Sequence, residues 1–141
     1  MDQPGPFPFT YNGGNAFPLG AAGTFIGDWA ENFAGIDALS LQAAFTSGAG
    51  GTSATVYFQT SLDQGQTPID IAAIQFTTTN GLEVCNLSGL DKVTTPITPG
   101  NLSLTPGTCI DGILGDRFRA VVVVVGAYAV PAALSLFGCA R

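Results

Sequence analysis

Gly115-Asp116-Arg117-Phe118-Arg119-Ala120 leads into five valines, Val121 to Val125, then a break over Gly126 to Pro131 and a second apolar run over Ala132 to Phe137. Ala120 to Gly138 is 19 residues without a charge, long enough for a membrane-spanning helix. The run reads better as two buried strands. Consecutive β-branched side chains are stiff at χ1 and pack well on a pleated strand. Gly126 weakens a helix and Pro131 cannot donate to its ladder, so the run divides into two strand-sized pieces. Phe118, Ala120, Val122 and Val124 then share one face, and Val121, Val123 and Val125 the other. Both faces are apolar, whereas a half-buried antiparallel strand alternates. Cover of the Val121, Val123 and Val125 face by another subunit is therefore expected, with cover by the chain's own loops or arm as the alternative.

Working outward, the first 21 residues form a separate region, and residues 22–141 a single domain. The first region carries Pro4, Pro6, Pro8 and Pro18 among Gly5, Gly13 and Gly14, which rules out a regular helix or a central strand. Phe7, Phe9, Tyr11 and Phe17 are not the composition of a disordered tail. The reading is an extended arm whose four aromatics anchor a neighbour or partner. Stretched out it reaches roughly 65 Å at about 3.3 Å per residue. An arm lying on its own domain is the alternative.

Short alternating segments follow. Thr24 to Trp29, Ala38 to Thr46, Ala54 to Thr60, Ile69 to Thr78 and Leu82 to Leu87 read as strands. A change of parity in the fourth requires a bulge near Ala72 or Ala73. Asp63-Gln64-Gly65 is a turn, and Asn80-Gly81 a two-residue hairpin. Residues 88–114, with Pro96, Pro99 and Pro106, read as a long connection holding one short strand near Asn101 to Thr105. The expected fold is all-β: an antiparallel β-sandwich of jelly-roll type with about eight strands, an extended N-terminal arm and a closing hairpin.

The chain has 141 residues, of which 46% are hydrophobic and only 10% charged, with a net charge of −6. About 25% charged is typical, so the surface must be largely neutral-polar. Four Lys plus Arg cannot build the basic patch that nucleic acid requires, and a membrane partner is disfavoured for the same reason. The N-terminus shows no basic region followed by an apolar run, so no export signal is expected.

No catalytic set emerges. There is no histidine, hence no usual general base or metal ligand. Nothing in the spacing of the ten carboxylates singles out a glycosidase pair or a calcium loop. Asp116, Arg117 and Arg119 read as an exposed cluster opening a strand, and Trp29 as core. Cys85, Cys109 and Cys139 are too widely spaced for a zinc site; buried thiols are expected, with one bridge, for example Cys85 to Cys109, left open. No enzyme activity, cofactor or metal is expected.

Three segments in order carry a resemblance: Ala38-Leu39-Ser40-Leu41, then Val56 to Ala72 with Gln59, Ser61, Asp63-Gln64-Gly65 and Asp70-Ile71-Ala72, then Leu114-Gly115-Asp116-Arg117-Phe118-Arg119. This order is similar to that of small β-sandwich virion structural proteins of tailed bacteriophages, over roughly residues 22–138. The resemblance implies a capsid decoration (cement) protein on the virion surface. Its partner would be the major capsid protein, and its form a homotrimer. A tail- or fibre-associated module binding carbohydrate or a receptor is the alternative, with Trp29 and Tyr57 as its aromatic platform.

Overall fold

The computed structural model describes residues 5–141. Nine strands form, and no helix is present among the described residues: β1 Gly5–Pro8, β2 Gly23–Ile26, β3 Ala38–Thr46, β4 Ser53–Thr60, β5 Ile69–Phe76, β6 Gly81–Ser88, β7 Thr108–Cys109, β8 Phe118–Val125 and β9 Ala133–Ala140. They assemble into two antiparallel sheets, of order β1-β9-β3-β6 and β2-β8-β4-β5-β7, in a β-sandwich-like all-β fold. The uncharged run is thus β8, a loop and β9. No helix of the described chain is long and apolar enough to cross a membrane.

Alternation builds the core. Leu39, Leu41, Ala43 and Phe45 of β3 point inward from one sheet, while Phe118, Ala120, Val122 and Val124 of β8 meet them from the other, all at most 2% exposed. Phe45 stacks on Phe76 of the opposite sheet at 5.2 Å between centroids. The parity change in β5 is real: the β4–β5 register slips between Phe58 and Gln59, and Ile71 is the extra residue. Its carbonyl is taken by Ile110 N–H at 2.8 Å, so the bulge leaves no orphan acceptor.

Two expected hairpins are crossovers. β5 and β6 lie in different sheets, so Asn80-Gly81 turns the chain from one sheet to the other. Asn80 Oδ1 instead accepts Ser47 N–H at 2.7 Å, tying that crossover to the loop after β3. The closing pair β8 and β9 likewise separates, one strand to each sheet. The short strand expected near Asn101 to Thr105 does not form; the only strand of that connection is β7 at Thr108–Cys109.

Of the N-terminal region expected to stand apart, residues 1–4 lie outside the described residues, and residues 5–21 are part of the sandwich. β1 pairs with β9, Gly5 to Pro8 against Ala140 to Phe137. Phe7, Phe9 and Phe17 are buried in the chain's own core. Rings run in contact from Phe118 through Phe33, Phe7 and Phe9 to Phe58, at centroid distances of 5.5, 4.5, 5.1 and 5.1 Å. Gly138 makes room for this train: a Cβ there would meet Phe7 Cζ at 2.5 Å. Downstream, Asp28 fixes the turn at Gly13-Gly14. Its carboxylate accepts Thr10 Oγ1–H at 2.9 Å and the two glycine N–H groups at 3.0 and 3.2 Å.

Candidate functional site

The two sheets turn very different outer faces to their surroundings. On the five-stranded sheet, β4, β5 and β8 place Gln59, Asp70 and Arg119 side by side. Gln59 and Asp70 are both fully buried. Gln59 Nε2 donates to Asp70 Oδ1 at 2.8 Å and to Asn101 Oδ1 at 2.9 Å, while its Oε1 accepts Arg119 Nε–H at 3.0 Å. Three consecutive backbone N–H groups, of Leu102, Ser103 and Leu104, converge on the Asp70 carboxylate at 3.1, 2.9 and 3.1 Å. Such a nest of N–H groups is how a backbone binds an anion; here the anion is the protein's own side chain. Asp70 therefore straps the proline-rich connection over the sheet. Trp29 closes the other end, with the Arg119 guanidinium 4.4 Å from its ring centre. Burial under this cover lowers the Arg119 pKa from its ordinary value.

That arrangement corrects two expectations. Arg119 is partly buried in a network rather than grouped with Asp116 and Arg117 at the surface. Arg117, itself largely covered, pairs with the more open carboxylates of Asp116 at 3.0 Å and Glu31 at 3.1 Å. The hydrogen bond to Arg117 holds the Asp116 carboxyl below its usual pKa. Trp29 is neither core nor a free platform, because one face is occupied by a cation. The Asp63 turn is as expected: its carboxylate accepts Thr67 N–H at 2.7 Å and Ser61 Oγ–H at 2.8 Å. The bonds from Thr67, then Ser61, lower its pKa to about 2.

Further along the same face the three valines fare differently. Val121 is 1% exposed, set between Ile26 of β2 and Tyr57 of β4. It has no surface left for a second subunit. Val123 is half-buried beside Thr24 and Thr55. Val125 is 50% exposed and Ile26 54%, so two open apolar side chains stand near the β2 edge, with the exposed Thr24 and half-buried Val123 between them.

Among the described residues the four-stranded sheet has no strap. Its outer face carries the cross-strand row Pro8, Phe137, Gln42, Val84 and, beside it, Pro6, Cys139, Ser40, Asn86. Leu82 follows, next to Ala44, with Ser135 on the far side of Ala44. Leu82 is 62% exposed, Val84 68% and Phe137 40%. Between Val84 and Phe137 runs a shallow groove of about 580 Å³ bordered also by Pro6, Gln42, Asn86 and Cys139. A smaller groove of about 330 Å³ lies where Leu62 and Ile113 meet Val93, Ile97 and Pro99 of the connection.

Of the residues expected to grip a partner, Phe7, Phe9 and Phe17 are inside this chain, and Tyr11 is half-buried against Phe17 and Phe25 at 5.6 and 5.8 Å. Leu82, Val84 and Phe137 take their place as apolar side chains open to contact. Leu82 and Val84 alternate with Glu83 and Cys85, and that period was legible. It did not tell which face had lost its cover. No group of three or more His, Cys, Asp or Glu side chains is placed to hold a metal ion among the described residues.

Comparison with protein-family models, with curated proteins and with solved structures finds no match to this chain.

Proposed function

We propose that the chain is a virion structural protein, a capsid decoration protein that sits on the shell of a tailed-phage-like particle, contacts the major capsid protein and assembles as a homotrimer. The observation that carries this reading is the pair of exposed apolar residue sets on the outer faces of different sheets. One is Leu82, Val84 and Phe137; the other is Ile26 and Val125. Soluble monomers seldom expose contiguous apolar surface without a partner for it. A subunit standing on a shell beside its sisters needs two such surfaces on separate faces. The sparse charge favours extensive protein contact, because few ionic groups would need desolvation.

The strand order supports a jelly-roll reading of the sandwich. Pairing is nested: β1 with β9, β2 with β8, β3 with β6, β4 with β5. A long antiparallel ribbon wrapped into two sheets produces that nesting, and β7 is an addition at one edge. Of the residues that carry the resemblance, Gln59 and Asp70 hold the strap and Asp63 the turn between them.

A second reading, a tail- or fibre-borne carbohydrate-binding module, draws on the larger groove, where Phe137 stands beside Gln42 and Asn86. An aromatic ring flanked by amides suits a sugar. Cosedimentation with empty shells of the particle's major capsid protein separates the two. We expect the protein to pellet with shells, and a Val84→Lys/Phe137→Lys variant to bind at least about tenfold more weakly, as loss of a central apolar anchor does. Retention on a glycan array without shell binding would replace the first reading with the second.

A further inference from the structure

Cys85 and Cys109 sit on the edge strands of different sheets. β6 ends the four-stranded sheet and β7 ends the five-stranded one. Cys85 pairs with Leu41 and Cys109 with Ala72, and both partners are core residues. The two thiols therefore point inward, from opposite sheets, into the same open side of the sandwich. The chain beside them is already held across the gap: Gly112 N–H donates to Ser88 O at 3.0 Å, and Ser88 N–H to Asp111 Oδ1 at 2.7 Å. Cys85 packs against the core while Cys109 is exposed. Cys139 stands on the outer face of β9 opposite Ser40 and cannot compete for Cys85.

We propose that Cys85 and Cys109 are a dithiol built to close into a disulfide that staples the two sheets along their open edge, with a small-molecule disulfide such as oxidised glutathione as the oxidant. The exposed Cys109 thiolate attacks the oxidant, forming a mixed disulfide and releasing one glutathione thiolate. Cys85 loses its proton to solvent and attacks Cys109 Sγ; the second glutathione leaves as thiolate. The dithiol is oxidised by two electrons, and the oxidant is reduced to two thiols.

The division of roles follows from the surroundings. Burial, and the hydrogen bond and charge of Cys109, push the Cys85 thiol up to about 12, so it is a poor first nucleophile. Once Cys109 carries glutathione, its share of that effect is gone, and proximity drives the second exchange. The bridge closes a loop containing all three prolines of the connection, Pro96, Pro99 and Pro106, which restricts the unfolded chain.

The test uses the full chain with and without excess oxidised glutathione. We expect a product lighter by two hydrogens, with Cys139 alone open to alkylation and one cross-linked peptide pair containing Cys85 and Cys109. The melting temperature should rise by about 10 °C and return on reduction. A Cys139→Ser variant should behave alike, and Cys85→Ser should stop at glutathionylated Cys109. Glutathione retained on Cys109 of the unaltered chain with Cys85 still alkylated would overturn the proposal. So would dimers linked through Cys139 with the other two thiols free. Both are read on the unaltered protein, so misfolding of a variant leaves the test intact.

Discussion

The outer faces of the two sheets are built from similar strands and end in opposite conditions. On the five-stranded sheet Gln59 and Asp70 are sealed under the 92–107 connection, and Trp29 shields Arg119. On the four-stranded sheet Leu82, Val84 and Phe137 stand open. The polar residues lie inside and the apolar ones outside, the reverse of the usual preference. The difference teaches that burial in this chain follows from what each face is asked to hold. A carboxylate can be buried because three N–H groups and an amide satisfy it. An apolar strand face stands bare where the proposed function puts another protein.

The comparison breaks most severely at Asp70. Asp70→Ala should cost about 4 kcal/mol, because it strips partners from three N–H groups and Gln59 in one step. Chemical denaturation would measure this, and hydrogen exchange should show the 100–105 segment released. Phe7→Ala comes next, at about 3 kcal/mol, as a large ring leaves a packed core. A loss near zero would return the N-terminal segment to the role of a free arm. Val84→Lys/Phe137→Lys should change stability by less than about 0.5 kcal/mol, the ordinary result for surface positions, while weakening shell binding at least about tenfold. A large loss of stability there would mean that the face is structural and the contrast false.

The smallest effect is a pH dependence at Asp63. Its folded pKa is lowered to about 2 from 3.8, so the carboxylate stabilises the fold above the unfolded value. That contribution fades as pH falls from near 4 towards 2. Thermal melts of the protein and of Asp63→Asn should converge over that window.

The sequence disclosed strands more readily than their partners. β3 runs over Ala38–Thr46, as its alternation indicates, and the bulge in β5 falls at Ile71, one residue from the expected place. Period reports which residues share a face, but not which sheet a strand joins. Asn80-Gly81 therefore passed for a hairpin although β5 and β6 separate. The 101–105 segment misled for a different reason. Its N–H groups bond a carboxylate about 30 residues away in sequence, and no local pattern announces that. The aromatic alternation of Phe7 and Phe9 was visible among the prolines, and β1 realises it as an edge strand, where proline is tolerated. The exposed groove had a weaker signal, since Leu82, Val84 and Phe137 look like core residues until the sheet order is known.

Solution mass tests the central claim most directly. Sedimentation of the full chain at micromolar concentration, beside an Ile26→Lys/Val125→Lys variant, should give a trimer for the first and a folded monomer for the second. A monomer in both would contradict the account, leaving Ile26 and Val125 without an occupant and the shell-bound trimer without support.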